Sequence, residues 1–240
     1  MPVKTRGKTP KKTPGASGKA TPRKKEYLDV IFYVPNLIGY ARIVLTGLFM
    51  YYAFSDWQTA IVCYIASFSL DFFDGYFARL LNQCSKLGQV LDMVTDRCST
   101  AVLLLVLAMK ENTNANIYCG LLALDFASHW FHMKSAGSGH HKSLNDSRGM
   151  IVRGYYHFYY FFGYCCVAAE FTYIFKYIAL NNEEAFASLP GGDIMSVNNL
   201  LYYTVLPGCI VKNIVNVAQL WDAMCFIAQT DADEYNAAKK

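Results

Sequence analysis

Asp71, Asp74, Asp92 and Asp96 fall in the pattern D-x2-D-G-x2-A-R-x8-G-x3-D-x3-D, whose other fixed positions are Gly75, Ala78, Arg79 and Gly88. On helices, residues three or four apart share a face, so Asp71 pairs with Asp74 and Asp92 with Asp96. Both pairs lie at the ends of strongly apolar segments. An ionised carboxylate at membrane depth costs about 2.5–3.5 kcal/mol on insertion scales, and four together also repel. The cluster therefore calls for strong positive charge among its members, and two divalent ions supply it. Hard oxygen donors suit Mg²⁺ or Mn²⁺ better than zinc. Two such ions can clamp the attacking and the leaving oxygen of a phosphoryl displacement, which makes the chain an enzyme. The alternative is a buried set of acids paired with Arg79, Arg97 and backbone donors, but two arginines do not balance four carboxylates.

The elements that position these residues are apolar helices. The chain is 54% hydrophobic, too apolar for an ordinary soluble domain of 240 residues. Runs long enough to span a bilayer cover Leu37–Phe54, Trp57–Arg79, Gln89–Lys110, Asn116–Met133, Arg153–Leu180 and Leu200–Gln229. The expected fold is all-α, a polytopic bundle of six transmembrane helices with an N-terminal interfacial segment. Residues 80–87 form a short turn, which predicts an antiparallel pair of helices carrying the carboxylates. Asn36, after Pro35, is expected either to cap the first span or to contact substrate.

Charge divides the chain. Residues 1–25 hold nine Lys/Arg and no acid, whereas the rest holds 13 Lys/Arg against 18 Asp/Glu, so the net +4 comes from the tail. That tail lacks the apolar residues to fold alone. It reads either as a segment drawn to anionic cytoplasmic lipid or as a solvated tail that sets orientation. A nucleic-acid role is not expected with six spans behind it. By the positive-inside rule the tail, the 80–88 connection with Lys86 and the 134–153 connection with Lys134, Lys142, Arg148 and Arg153 face the cytoplasm. The opposite connections carry Glu111, Glu183, Glu184 and Asp193 and no basic residue. The carboxylates then open on the cytoplasmic side. Expected domain limits are a basic tail over 1–25, a membrane domain over 26–230 and a C-terminal tail over 231–240. Most of the eight cysteines lie in apolar runs with no CxxC pair, and no disulfide framework is expected.

The Asp pattern, with Val34–Ile43, Leu91–Thr100 and Leu124–Trp130 around it, resembles the signature of the CDP-alcohol phosphotransferase family. The resemblance covers residues 30–155 and fades over the last third. It implies transfer of a phosphatidyl group from CDP-diacylglycerol to myo-inositol with release of CMP, in a homodimer of the endoplasmic reticulum or Golgi membrane. It also implies roles: Asp71, Asp74, Asp92 and Asp96 as ligands of two Mg²⁺ or Mn²⁺ ions, Asp96 also as general base, and Asp71, Gly75, Ala78, Arg79 and Gly88 around the CDP-diacylglycerol. Arg79 can make a planar, paired contact to phosphate that Lys cannot reproduce.

The motif reads the CDP donor and leaves the acceptor open, so serine, glycerol phosphate and choline stay as rival alcohols. Asp125, His129, His132, Lys142 and Arg153 are candidates to bind a polyol. His129 and His132 with His140 and His141 could also be read as zinc ligands, though the spacing matches no strong motif. The aromatic run Tyr155–Phe162 reads as a membrane-interface belt. From other classes, an ion transporter predicts carboxylates spread through the membrane depth, and an inactive lipid-binding homologue predicts a broken motif. Neither pattern is present.

Overall fold

The computed structural model describes residues 26–137, 159–182 and 197–239, and among them there is no strand. The tail over 1–25 and the positions Lys142, Arg153, His140 and His141 lie outside the described residues, as do positions 155–158 of the aromatic run. In chain order the helices are α1 (Tyr27–Ile31), α2 (Val34–Tyr52), α3 (Trp57–Leu80), α4 (Lys86–Lys110), α5 (Ala115–Gly137), α6 (Tyr159–Asn181) and α7 (Val197–Ala237). Among the described residues, each of the six expected spans lies mainly within a helix. The last helix runs on through residues 231–237, the start of the expected C-terminal tail, with its side chains there exposed. The short α1 carries exposed Tyr27 and Leu28, as an interfacial segment requires.

By length and composition α2, α3 and the Leu200–Ala237 part of α7 can cross a membrane. In α4, α5 and α6 the polar residues that build the interior lower the hydropathy. The chain is an all-α membrane protein. Its exposed apolar side chains, among them Val62, Met109 and Ile214, are then the lipid-facing surface.

The helix ends follow local chemistry. Asp56 caps α3 by accepting from the Thr59 N–H at 3.2 Å, and Ser85 caps α4 by accepting from the Gly88 N–H at 3.0 Å. Pro35 sits in the first turn of α2, where its missing N–H costs nothing. The capping expectation for Asn36 fails: the residue at the cap position is Tyr33, with no side-chain cap. Asn36 is already inside the turn, and its amide donates to the Val30 carbonyl at 2.6 Å, tying α1 to α2. The orphan N–H of Val34 is instead met by Gln83 Oε1 at 2.9 Å, from the α3–α4 turn.

The carboxylates of α3 and α4 converge as expected, although the two helices pack little against each other directly. Each packs chiefly against other helices, and α2 lies against both. The two acidic faces meet, and α2 brings Arg42 among their carboxylates. The bundle closes through α4 on α5, α5 and α6 on α7, and α3 and α4 on α6. Its apolar core sits away from the carboxylates. Phe49 meets Tyr64 at 5.1 Å and Tyr177 at 5.6 Å between ring centroids, both edge-on, and Leu103, Leu104, Leu107 and Ile174 fill the space around them. A Cβ on Gly208 would lie 2.6 Å from that of Ala168, so only glycine lets α7 approach α6 this closely.

At the pole opposite the carboxylates, Glu111 accepts from Lys176 Nζ at 2.9 Å and from the Tyr118 hydroxyl. Burial pushes the Glu111 carboxyl up, but hydrogen bonds from Tyr118, Lys176 and Asn114 outweigh it and hold the group below its ordinary value. A lowered carboxylate stabilises the fold above its unfolded pKa, and that contribution fades as pH falls through the folded one. Acidification from about pH 6 to about pH 4 is expected to cost the wild type a few degrees of Tm more than Glu111→Gln. Parallel melting curves of the two proteins across that range would refute this clamp.

Candidate active site

Four carboxylates converge on one guanidinium. Arg42, 1% exposed, is the sole charged residue of α2. Its Nη1 lies 2.6 Å from Asp71 Oδ1, 3.0 Å from Asp74 Oδ2 and 3.2 Å from Asp92 Oδ1, and its Nη2 pairs with Asp96. Burying an arginine here is tolerable because every donor it aims at the cluster meets an anion. Thr46 Oγ1 and Ser67 Oγ both reach the Arg42 carbonyl, fixing that turn of α2 against α3. The arginines expected to balance the acids do other work. Arg79 is exposed near Gly75, and Arg97 divides itself between Asp96, at 3.6 Å, and Asp125.

The cluster fits divalent cations by its donor set. Oxygens of Asp71, Asp74 and Asp92 lie within 4.8 Å of one another, all hard donors, with strong positive charge already drawn among them. Asp96 shares the Arg42 guanidinium with that trio and lies against Asp71 and Arg97.

Two cavities meet at Asp92. The smaller, about 220 Å³, lies between the start of α2, the end of α3 and the start of α4. It is lined by Asp74, Gly75, Ala78, Arg79, Gly88 and Asp92, so the motif's small residues and its arginine border one cleft. Gly88 leaves little room there for a side chain: a Cβ would come 3.0 Å from Asn36 Oδ1 and 3.2 Å from Ser85 Oγ. Asn36 Oδ1 is itself buried with no hydrogen-bond partner, an acceptor left over at the wall of this cleft.

The larger cavity, about 390 Å³, takes Asp71, Asp92 and Asp96 on its near side and runs to α6 and α7. Its far end is polar, with Arg97, Thr100, His129, Glu170, Lys212 and Asn216. Asp125, 5% exposed, lies behind this wall. It takes Arg97 Nη1 on both oxygens, at 3.0 and 3.2 Å, with Lys212 and Asn216 each at 3.5 Å. His129 Nδ1 donates to the Asp125 carbonyl at 2.8 Å, which makes its Nε2 the acceptor for Arg97 at 3.2 Å. Both ring nitrogens are engaged, and a nitrogen accepting from a guanidinium has no lone pair for zinc. The zinc reading of His129 therefore fails.

Arg42, Glu170, Lys212 and Asn216 escaped the sequence reading. The signal was available: Arg42 is the lone charge within its apolar run, Glu170 and Lys212 are among the few charges in theirs, and an intramembrane charge requires a partner.

Comparison with known proteins gives the same direction. The sequence profile of CDP-alcohol phosphatidyltransferase matches residues 32–228. The chain is 39% identical over 199 residues to the probable CDP-diacylglycerol–inositol 3-phosphatidyltransferase 2 of Arabidopsis thaliana, covering 80% of this chain and 88% of that one. It is 34% identical to the CDP-diacylglycerol–inositol 3-phosphatidyltransferase of Schizosaccharomyces pombe, covering 88% and 95% of the two chains. The Homo sapiens protein of that name is also 34% identical, covering 88% and 98%. No solved structure matches. The profile extends well past residue 155, where the recognisable motifs stop, and the chain belongs to the CDP-alcohol phosphatidyltransferase family.

Proposed function

We propose that this protein transfers the phosphatidyl group of CDP-diacylglycerol to myo-inositol, giving phosphatidylinositol and CMP. The observation that carries the reading is the junction at Asp92, where a cleft bordered by the CDP motif adjoins a polar cavity into which Asp96 faces. The relatives' names supply the acceptor. Asp71, Asp74, Asp92 and Asp96 would hold two Mg²⁺ or Mn²⁺ ions, whose chemistry is to neutralise the diphosphate and the departing oxygen. Gly75, Ala78 and Gly88 leave room for the nucleotide beside the helices, and Arg79 contacts its phosphates. A hydroxyl of the polyol attacks the lipid-side phosphorus, and its proton passes to Asp96. The bond to the bridging oxygen breaks, and CMP leaves with that electron pair. Positioning and charge account for most of the catalysis.

Asp125 and His129 serve the acceptor by holding Arg97 and Lys212 at the cavity wall. Lys142 and Arg153 remain proposed polyol contacts. The bundle crosses the endoplasmic reticulum membrane six times as a homodimer, with site and N-terminus cytoplasmic, residues 1–25 as a basic tail and 26–230 as the membrane domain. The basic connections on the carboxylate side and the acidic ones opposite support this orientation.

Membranes holding the protein, given CDP-diacylglycerol, Mn²⁺ and one labelled alcohol at a time, are expected to put label into lipid from myo-inositol. Incorporation from serine, glycerol phosphate or choline in its place would reject the acceptor and keep the chemistry.

A further inference from the structure

We infer that Glu170 and Lys212 form a recognition pair for the acceptor, Glu170 accepting from and Lys212 donating to hydroxyls of the bound polyol. This rests on the reading of the acceptor as inositol. Both residues line the larger cavity, from α6 and α7, and both are nearly buried, 9% and 8% exposed. A cavity of about 390 Å³ lies within the usual range for small-molecule sites, about 300–1,000 Å³.

Glu170 is held from behind. The Tyr64 hydroxyl donates to Oε2 at 2.8 Å and the Thr100 hydroxyl to Oε1 at 2.6 Å. Each oxygen of a carboxylate offers two acceptor sites, so a lone pair on each remains after the protein has fixed the group. Such support from partners outside the ligand is what a precise site requires. Lys212 is held more loosely. Its nearest partner among the described residues is Asp125 at 3.5 Å, and Asp125 is already taken bidentately by Arg97. The ammonium therefore has donors to spare at the cavity wall.

Charge points to a neutral ligand. At this end of the cavity Arg97 and Lys212 are balanced by Asp125 and Glu170, and Arg97 is bound to Asp125. A phosphorylated alcohol needs cations that are not already matched, and Glu170 would repel it. A ring bearing hydroxyls needs donors and acceptors in alternation, which Glu170, Lys212 and Asn216 provide. Position matters as well. Thr100 Oγ1 donates to Glu170 at 2.6 Å and lies 3.1 Å from the Asp96 carbonyl, one turn before it on α4, so Glu170 is fixed with respect to the turn that bears Asp96. Anchoring one hydroxyl at Glu170 determines which other hydroxyl of the ring reaches Asp96. The pair is specificity-determining for that reason.

The test is steady-state kinetics of the full-length protein in mixed micelles, comparing wild type, Glu170→Gln and Lys212→Met. In each variant the KM for myo-inositol is expected to rise about ten-fold or more, the size of a lost charged hydrogen bond, and by more than kcat falls. The KM for CDP-diacylglycerol is expected to stay within about two-fold. Glu170→Gln is also expected to narrow the preference for myo-inositol over mono-deoxy-inositols. An unchanged inositol KM with unchanged preference overturns the pair, and so does an equal rise in both KM values, which would mean general loosening. If Glu170→Gln does not fold, Lys212→Met decides alone: a wild-type KM for inositol refutes the proposal. Use of another alcohol by the wild type in place of inositol defeats the acceptor reading itself and the pair with it. Altered acceptor use in the wild type thus marks the first failure, and unaltered variants of an inositol-using enzyme mark the second.

Discussion

Asp96→Asn is expected to reduce CMP release from CDP-diacylglycerol and myo-inositol by at least about a hundred-fold, the lower end of what a positioned general base contributes. The substitution keeps the volume and one acceptor oxygen, so the fold should survive, while the group that takes the hydroxyl proton is gone. Asp96 faces the larger cavity, toward the compartment assigned to the polyol. The loss should therefore fall on kcat, with CDP-diacylglycerol still protecting the protein against heat. An Asp96→Asn protein that retained a tenth of wild-type kcat would remove Asp96 from the proton transfer. Failure of CDP-diacylglycerol to protect would instead assign it chiefly to the donor site.

Arg42→Gln is expected to be the most destabilising single change near the site. Removing one partner of a buried ion pair costs about 3–5 kcal/mol, and here four carboxylates lose the same partner. The loss should be largest in chelator and should shrink when Mn²⁺ is added, because ions bound to the folded state replace part of the missing charge. Wild type should show a smaller Mn²⁺-dependent gain in Tm than the variant. Equal Tm values for the two proteins in chelator would mean that Arg42 is not the cluster's counter-charge. An Arg42→Gln protein too unstable to purify should still show Mn²⁺-dependent protease resistance in membranes, and absence of that rescue would count against the same idea.

The helices were legible because apolar runs of bilayer length admit few other structures, and the motif was legible because its spacing fixes faces. Asp71, Asp74 and Asp92 do come together as their intervals require. The sequence misled where partners come from remote segments. A short connection between α3 and α4 suggested direct pairing, yet the charge their acidic faces share comes from α2, on an arginine 29 residues before Asp71. Likewise Asn36 carries a capping residue type at the start of α2, but the donor needing a partner was met by Gln83 from another turn. Glu170 and Lys212 belong to the region without recognisable motifs. Nothing local says that Tyr64 and Thr100, on two other helices, will hold that carboxylate.

The cavities on either side of Asp92 carry a kinetic consequence. A lipid nucleotide lodged in the motif cleft and a polyol lodged toward α6 and α7 do not compete for space, so both can be resident when the phosphorus is attacked. Such an enzyme works through a ternary complex and never stores the phosphatidyl group on its own side chains. Its double-reciprocal plots intersect, and a water molecule that enters while the polyol compartment is empty is the competitor that wastes the donor.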